Sequence, residues 1–145
     1  MGVVLALGCD LRVAAASTQF AIPEVDLGIP LTWGTLPRLV NLVGPARAKR
    51  LAILGERVAA EPALAMGLVD ELCDKSGAME AARRLAEAVL EKPKHSVMMT
   101  KETVNAYAGL GAHAVSYMAP DQLELAAASP ESRAARDAAL KRPKR

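Results

Sequence analysis

Apolar positions along this chain follow two rhythms. Over residues 2–30 they run together or alternate with polar ones, and from residue 35 onward they recur every three or four positions. Residues 2–7 are a short apolar run that periodicity alone assigns to neither helix nor strand. Residues 9–15 read as a buried strand, with Leu11 and Val13 in β-type positions and Asp10 and Arg12 alternating with them. Ser17 and Thr18 mark a turn. Residues 18–22 make a second short strand, which Pro23 ends because proline has no N–H to give to a ladder.

The helical rhythm begins beyond the loop marked by Gly28 and Pro30. Thr32 is placed to cap a helix whose stripe is Leu36, Leu39, Val40 and Val43, with Pro37 in its first turn and Gly44 as its stop. Pro45 opens a second helix that runs to Leu54, with Gly55 beyond it. Residues 60–66 form a short helix stopped by Gly67, and residues 68–73 a last short strand. Ser76 is placed to cap a helix with Met79, Ala82, Ala86 and Val89 on one face, ended by Lys92 and Pro93. Another helix spans residues 96–107. Gly109 and Gly111 break the pattern, which resumes over residues 112–128 with an interruption at Pro120. Ser129-Pro130-Glu131-Ser132 is an N-cap signal with proline at the first helical position, and it leads a final Ala- and Arg-rich helix. The expected layout is α/β over residues 1–75 and wholly helical over residues 76–145.

Composition narrows the picture. Hydrophobic residues make up 52% of the chain but aromatics only 3%, so the core is an Ala/Leu/Val core short of large anchors. A length of 145 residues suits one domain with a moderate core. The balance of 18 basic and 16 acidic residues implies no strongly basic partner surface. The tail Lys141-Arg142-Pro143-Lys144-Arg145 carries no interleaved aromatics and reads as a solvated end, not a nucleic-acid contact. Cys9 and Cys73 have no metal or redox spacing and are expected as small buried residues in a reducing, cytoplasmic setting. Residues 1–8 lack the basic start of a signal peptide and are too short to span a membrane.

Candidate chemistry centres on residues 20–30, Phe-Ala-Ile-Pro-Glu-Val-Asp-Leu-Gly-Ile-Pro. Glu24 succeeds a proline and stands among apolar residues where a strand gives way to a loop, a setting from which a carboxylate can move a proton. The plain alternative is a solvated loop residue or a helix-cap acceptor. Asp26 is near in sequence with a side chain that can point away. Trp33, the one tryptophan, is either a pocket wall or a packing anchor. Asp10 and Arg12 read as a structural pair. His95 and His113 have no partner at ligand spacing, and no metal site is expected.

The stretch GCDLRVAAASTQFAIPEVDLGIP resembles the enoyl-CoA hydratase/isomerase (crotonase) family. So do residues further along the chain: Gly34, Arg38, Gly44, the Leu-Gly-Glu-Arg at 54–57, Glu61 with Ala63, Gly67-Leu68-Val69, Thr100-Lys101-Glu102 and Ser129 to Arg133. The resemblance runs from Gly2 to about Lys141. It implies the C-terminal part of a crotonase-like spiral fold, with residues 2–7 as the first turns of a helix. The helical part of such proteins packs subunits into trimers or dimers of trimers and closes over an acyl-CoA, with residues 109–114 as a candidate hinge.

The resemblance also implies roles. Two backbone N–H groups of the family polarise the thioester carbonyl. One comes from a further N-terminal portion, and the other falls at Met1, with Gly2 as the next glycine. Hydratases of the family use two glutamates, at the positions of Val4 and Glu24. Valine can neither orient nor deprotonate water, so the resemblance implies isomerase-type chemistry. Glu24 then acts alone as general acid/base, taking a proton at C2 of a 3-enoyl-CoA and returning one at C4, with Val4 as pocket wall. Trp33 would line the acyl pocket. Lys141 would reach CoA, although Ala139 stands at the aromatic position that accompanies such a lysine. Coenzyme A is part of the substrate and no separate cofactor is expected. The alternative expectation is a truncated, catalytically incompetent member or an oligomer-forming pseudoenzyme, since an oxyanion hole would lack one donor and have the other at the chain start.

Overall fold

A computed structural model describes residues 2–141. In chain order its elements are α1 (Gly2–Ala6), β1 (Val13–Ala15), β2 (Gln19–Phe20), a 3-10 turn (Val25–Leu27), α2 (Thr35–Val43), α3 (Pro45–Ile53), β3 (Val58–Ala59), α4 (Ala60–Ala65), β4 (Glu71–Cys73), α5 (Ala78–Leu90), α6 (Lys94–Ala108), α7 (Ala112–Ser116), α8 (Ala119–Ala128) and α9 (Pro130–Leu140). The described residues fall into two compact units: residues 2–20 with 58–111, and residues 21–57 with 112–141.

The first unit holds the strands. β1 and β4 pair in parallel, Val13 opposite Glu71 and Ala15 opposite Cys73, while β2 and β3 pair antiparallel, Phe20 opposite Val58. Its core is small: Leu7, Ala14, Ala60, Ala63, Leu68, Val69 and Ala81 are buried. Arg12 is buried with them. Its guanidinium meets Asp70 at 2.9 Å and donates to the Cys9 carbonyl at 2.8 Å. α6 contributes no buried residue.

The strands are shorter than the pattern predicts, and the reason is local. The Arg12 N–H is taken by the Asp70 carboxylate at 2.7 Å, so the ladder starts only at Val13. Residues 9–11 turn away, leaving Leu11 51% exposed and Cys9 exposed, not buried as expected. Cys73 is half-buried with its thiol toward the Ala14 carbonyl. Asp10 does not pair with Arg12. It meets Lys101 at 2.5 Å, so each charge of the expected pair has a partner distant in sequence. On α5 the expected stripe is inverted: Ala81 is the buried position, while Met79 and Val89 are exposed. Ser76 does not cap α5, whose N-cap is Gly77.

The second unit is helical. α2 packs on α3, α8 on α9, and α9 on the 3-10 turn. Its core is Ile22, Leu31, Leu39, Val43, Ala48 and Leu51, with Thr35 buried beside them. Gly34, not Thr32, is the N-cap of α2, and no side chain caps that helix. The α2 stripe is Thr35, Leu39 and Val43 at four-residue spacing, and Leu36 and Val40 are part-exposed at its margin. α9 starts as its sequence predicts, Ser129 Oγ accepting the N–H of Ser132.

Candidate active site

Glu24 heads the tight turn just beyond the buried Ile22. Pro23 fixes the chain before it, and the Pro23 carbonyl accepts the N–H of Asp26 at 3.0 Å. The Glu24 carbonyl accepts two more, from Leu27 at 3.0 Å and Ile29 at 3.1 Å. Gly28 closes the turn in the left-handed conformation, φ 69°, donating to Val25. Leu31, buried, anchors the far side.

The Glu24 side chain is half-buried, and its Oε2 is buried with no hydrogen-bond partner. Buried polar atoms nearly always find partners, and those that do not mark places where structure serves something besides stability. This oxygen has its lone pairs uncommitted, which is what a group that receives a proton from a bound molecule requires. Glu24 is therefore not a fully solvated loop carboxylate, and although it holds the N-cap position of the turn, its side chain accepts no capping hydrogen bond.

The remaining candidates are distributed. Gly2 and Val4 share α1, Gly2 exposed and Val4 half-buried, in the first unit. Glu24, Trp33 and Lys141 belong to the second. Trp33 has φ 61° and is 68% exposed, in a turn closed by the Thr35 N–H on the Thr32 carbonyl at 3.2 Å. It is not a packing anchor. Lys141 is the exposed C-cap of α9. The oxyanion donor expected at Met1 lies outside the described residues. Asp26 is exposed with its carboxylate against Gly55, and His95 and His113 are exposed. Among the described residues no group of three or more His, Cys, Asp or Glu is placed to hold a metal ion.

Two features escaped the sequence reading. Thr35 is 2% exposed and its Oγ1 is buried without a partner. Its spacing of four from Leu39 carried that signal, but its hydroxyl argued against a core position. The other is the contact of Gly28 with α9, between residues too far apart in sequence for any local pattern to report.

A family model described as enoyl-CoA hydratase/isomerase matches residues 1–138. A short-chain-enoyl-CoA hydratase of Clostridium acetobutylicum is 34% identical over 104 residues, covering 72% of this chain and 40% of that protein. A protein of the same name from Clostridioides difficile is 36% identical over 103 residues, 71% of this chain and 66% of that one. The chain thus spans less than two thirds of either relative. Among solved structures, an enoyl-CoA hydratase from Mycobacterium avium subsp. paratuberculosis superposes with a TM-score of 0.88 at 25% identity, over 97% of this chain and 57% of that one. The expected α/β, crotonase-like architecture is borne out.

Proposed function

The chain belongs to the enoyl-CoA hydratase/isomerase family, and from that premise we propose that it carries the proton-moving carboxylate of an enzyme acting on acyl-CoA thioesters. The carrying observation is Glu24 Oε2, buried and unpartnered at the head of a tightly bonded turn. With a 3-enoyl-CoA, Glu24 removes a proton from C2. The electron pair moves into the thioester to give a dienolate. The same proton returns at C4, leaving the 2-enoyl-CoA, so atoms and charge balance with no added reagent.

Val4 favours this double-bond shift over hydration. α1 is Gly-Val-Val-Leu-Ala, with no carboxylate to share the work of adding water. Hydration is the second reading, favoured by the names of relatives, which include short-chain-enoyl-CoA hydratases and a crotonyl-CoA hydratase. The third is that this polypeptide alone supports neither reaction and serves assembly. Gly2, Trp33 and Lys141 are proposed to contact substrate, whose own CoA is the only coenzyme the shift requires.

Homo-oligomerisation, as a trimer or dimer of trimers, is proposed from α6. Met98, Met99, Val104 and Tyr107 on it are exposed, and helices of this length owe most of their stability to tertiary packing. Among the described residues no helix is long and apolar enough to cross a membrane. A cytoplasmic location is proposed from the two free cysteines.

The test is turnover of 3-enoyl-CoA and 2-enoyl-CoA offered side by side to the purified chain. Isomerisation alone supports Glu24 acting by itself. Hydration overturns the inference from Val4, and a folded chain inert to both supports the reading in which this polypeptide alone is catalytically incompetent.

A further inference from the structure

Gly28 and Ser132 touch backbone to backbone. A Cβ built on Gly28 would stand 2.6 Å from the Ser132 Cα and 2.9 Å from its carbonyl carbon, far inside van der Waals contact. Glycine is required here twice over, for its φ of 69° and for the closeness of α9. Gly28 ends the same turn that Glu24 begins. The seat therefore acts on the backbone that carries the carboxylate.

The first turn of α9 is itself held by several bonds. Ser129 Oγ accepts the Ser132 N–H at 3.4 Å, and the Ser129 carbonyl accepts the Arg133 N–H at 3.1 Å. The Arg133 guanidinium reaches back to the last carbonyls of α8, Ala127 at 3.3 Å and Ala128 at 2.7 Å. Ser132 is thus fixed from before and after. Glu24 Oε2, by contrast, has no hydrogen bond of its own. A proton-transferring group must be held to within about half an ångström, and with no donor gripping that oxygen the placement falls to the turn beneath it.

We propose that the first turn of α9 is the positioning element for Glu24: Ser132 seats on Gly28, and Ser129 and Arg133 hold Ser132 in place. The proposal rests on Glu24 being the proton-moving group. It adds that the residue's working geometry is set from the far end of the chain.

The test is amide hydrogen exchange and the 13C resonance of the Glu24 carboxyl, in the full 145-residue chain. The variants are Gly28→Ala, Ser129→Ala and Ser129→Asp. Gly111→Ala is the control, since Gly111 has φ 79° but an added methyl there meets nothing within 4 Å. Loss of the Ser129 cap is expected to speed exchange at Leu27, Gly28 and Ile29 about fivefold and to shift the Glu24 resonance. Ser129→Asp, a competent cap, restores both. Gly28→Ala exceeds Ser129→Ala, and Gly111→Ala leaves the Glu24 resonance where it was. A turn whose exchange and Glu24 resonance ignore the cap overturns the proposal, as does failure of Ser129→Asp to restore them, or an equal response to Gly111→Ala. Where the wild-type chain also turns over an acyl-CoA, Ser129→Ala lowers kcat without raising KM. A wild-type chain that shows the turn responses but no turnover removes the proton-transfer reading and leaves the seat itself standing.

Discussion

One oxygen of Asp70, Oδ2, accepts the backbone N–H of Arg12 at 2.7 Å and meets its guanidinium at 2.9 Å. The two residues sit at the entry to the paired strands β1 and β4, and the Arg12 carbonyl in turn accepts the N–H groups of Asp70 and Glu71. Asp70→Ala leaves a buried guanidinium on the Cys9 carbonyl, without its counter-charge. Because Asp70 is itself 34% exposed, the expected cost is about 2–3 kcal/mol, below that of a fully buried pair. Urea unfolding measures it. Asp70→Asn, which can still accept the N–H, should fall between, and a loss under about 0.5 kcal/mol for Asp70→Ala would refute the assignment.

Leu39 is fully buried in α2, whereas Met79 is 68% exposed on α5. Leu39→Ala is expected to cost about 3 kcal/mol, and Met79→Ser less than about 0.5 kcal/mol. Thermal denaturation of the two variants separates the observed core from the stripe that spacing alone proposes for α5.

Trp33 holds a left-handed backbone that costs a non-glycine residue about 1–2 kcal/mol, and its ring is mostly in solvent. Trp33→Gly should leave stability unchanged or raise it by about 1 kcal/mol. A fall of about 3 kcal/mol would mean the ring is a packing anchor after all. If the ring lines the acyl pocket, the same variant loses affinity for long acyl chains while gaining stability.

Glu24→Gln keeps the shape of the side chain and removes its ability to take a proton. In an active assembly it should lower exchange of the C2 hydrogen of an acyl-CoA with deuterated water by about 10²–10⁴-fold, with binding of the thioester retained. Undiminished exchange would show that another group moves the proton. Val4→Glu, made in parallel, places a carboxylate on α1 and should raise hydration of 2-enoyl-CoA relative to isomerisation.

What the sequence revealed and what it hid divide by range. Several helix ends were readable because their signals are local: Pro45, Pro130, Gly44 and the Ser129 cap act within a few residues, although Thr32 and Ser76, equally local signals, were passed over for Gly34 and Gly77. The turn that carries Glu24 was readable for the same reason, since Pro23 and Gly28 bracket it, whereas the role expected of Glu24 came from the family resemblance. Strand length was not readable, because β1 begins only after the point where Asp70, remote in sequence, captures the Arg12 N–H. The partners of Asp10 and the seat of Ser132 on Gly28 were hidden alike, being choices made by tertiary packing. The α5 face was misread because an Ala-rich helix offers several equivalent stripes, and its neighbours decide which one is covered.

The parallel pairing of β1 with β4 has a consequence for how the molecule is made. Arg12 and Asp70 are 58 residues apart, so no short hairpin can bring the two strands together early. At about 5–20 residues per second on the ribosome, β1 emerges roughly 3–12 seconds before its partner exists. Through that interval a bare strand edge and a bare arginine wait in the open, where a neighbouring nascent chain can pair with them first. The pairing of β1 with β4 should therefore respond to synthesis rate and chaperone supply more than the packing of α2 on α3 does, since those two helices are separated by a single residue.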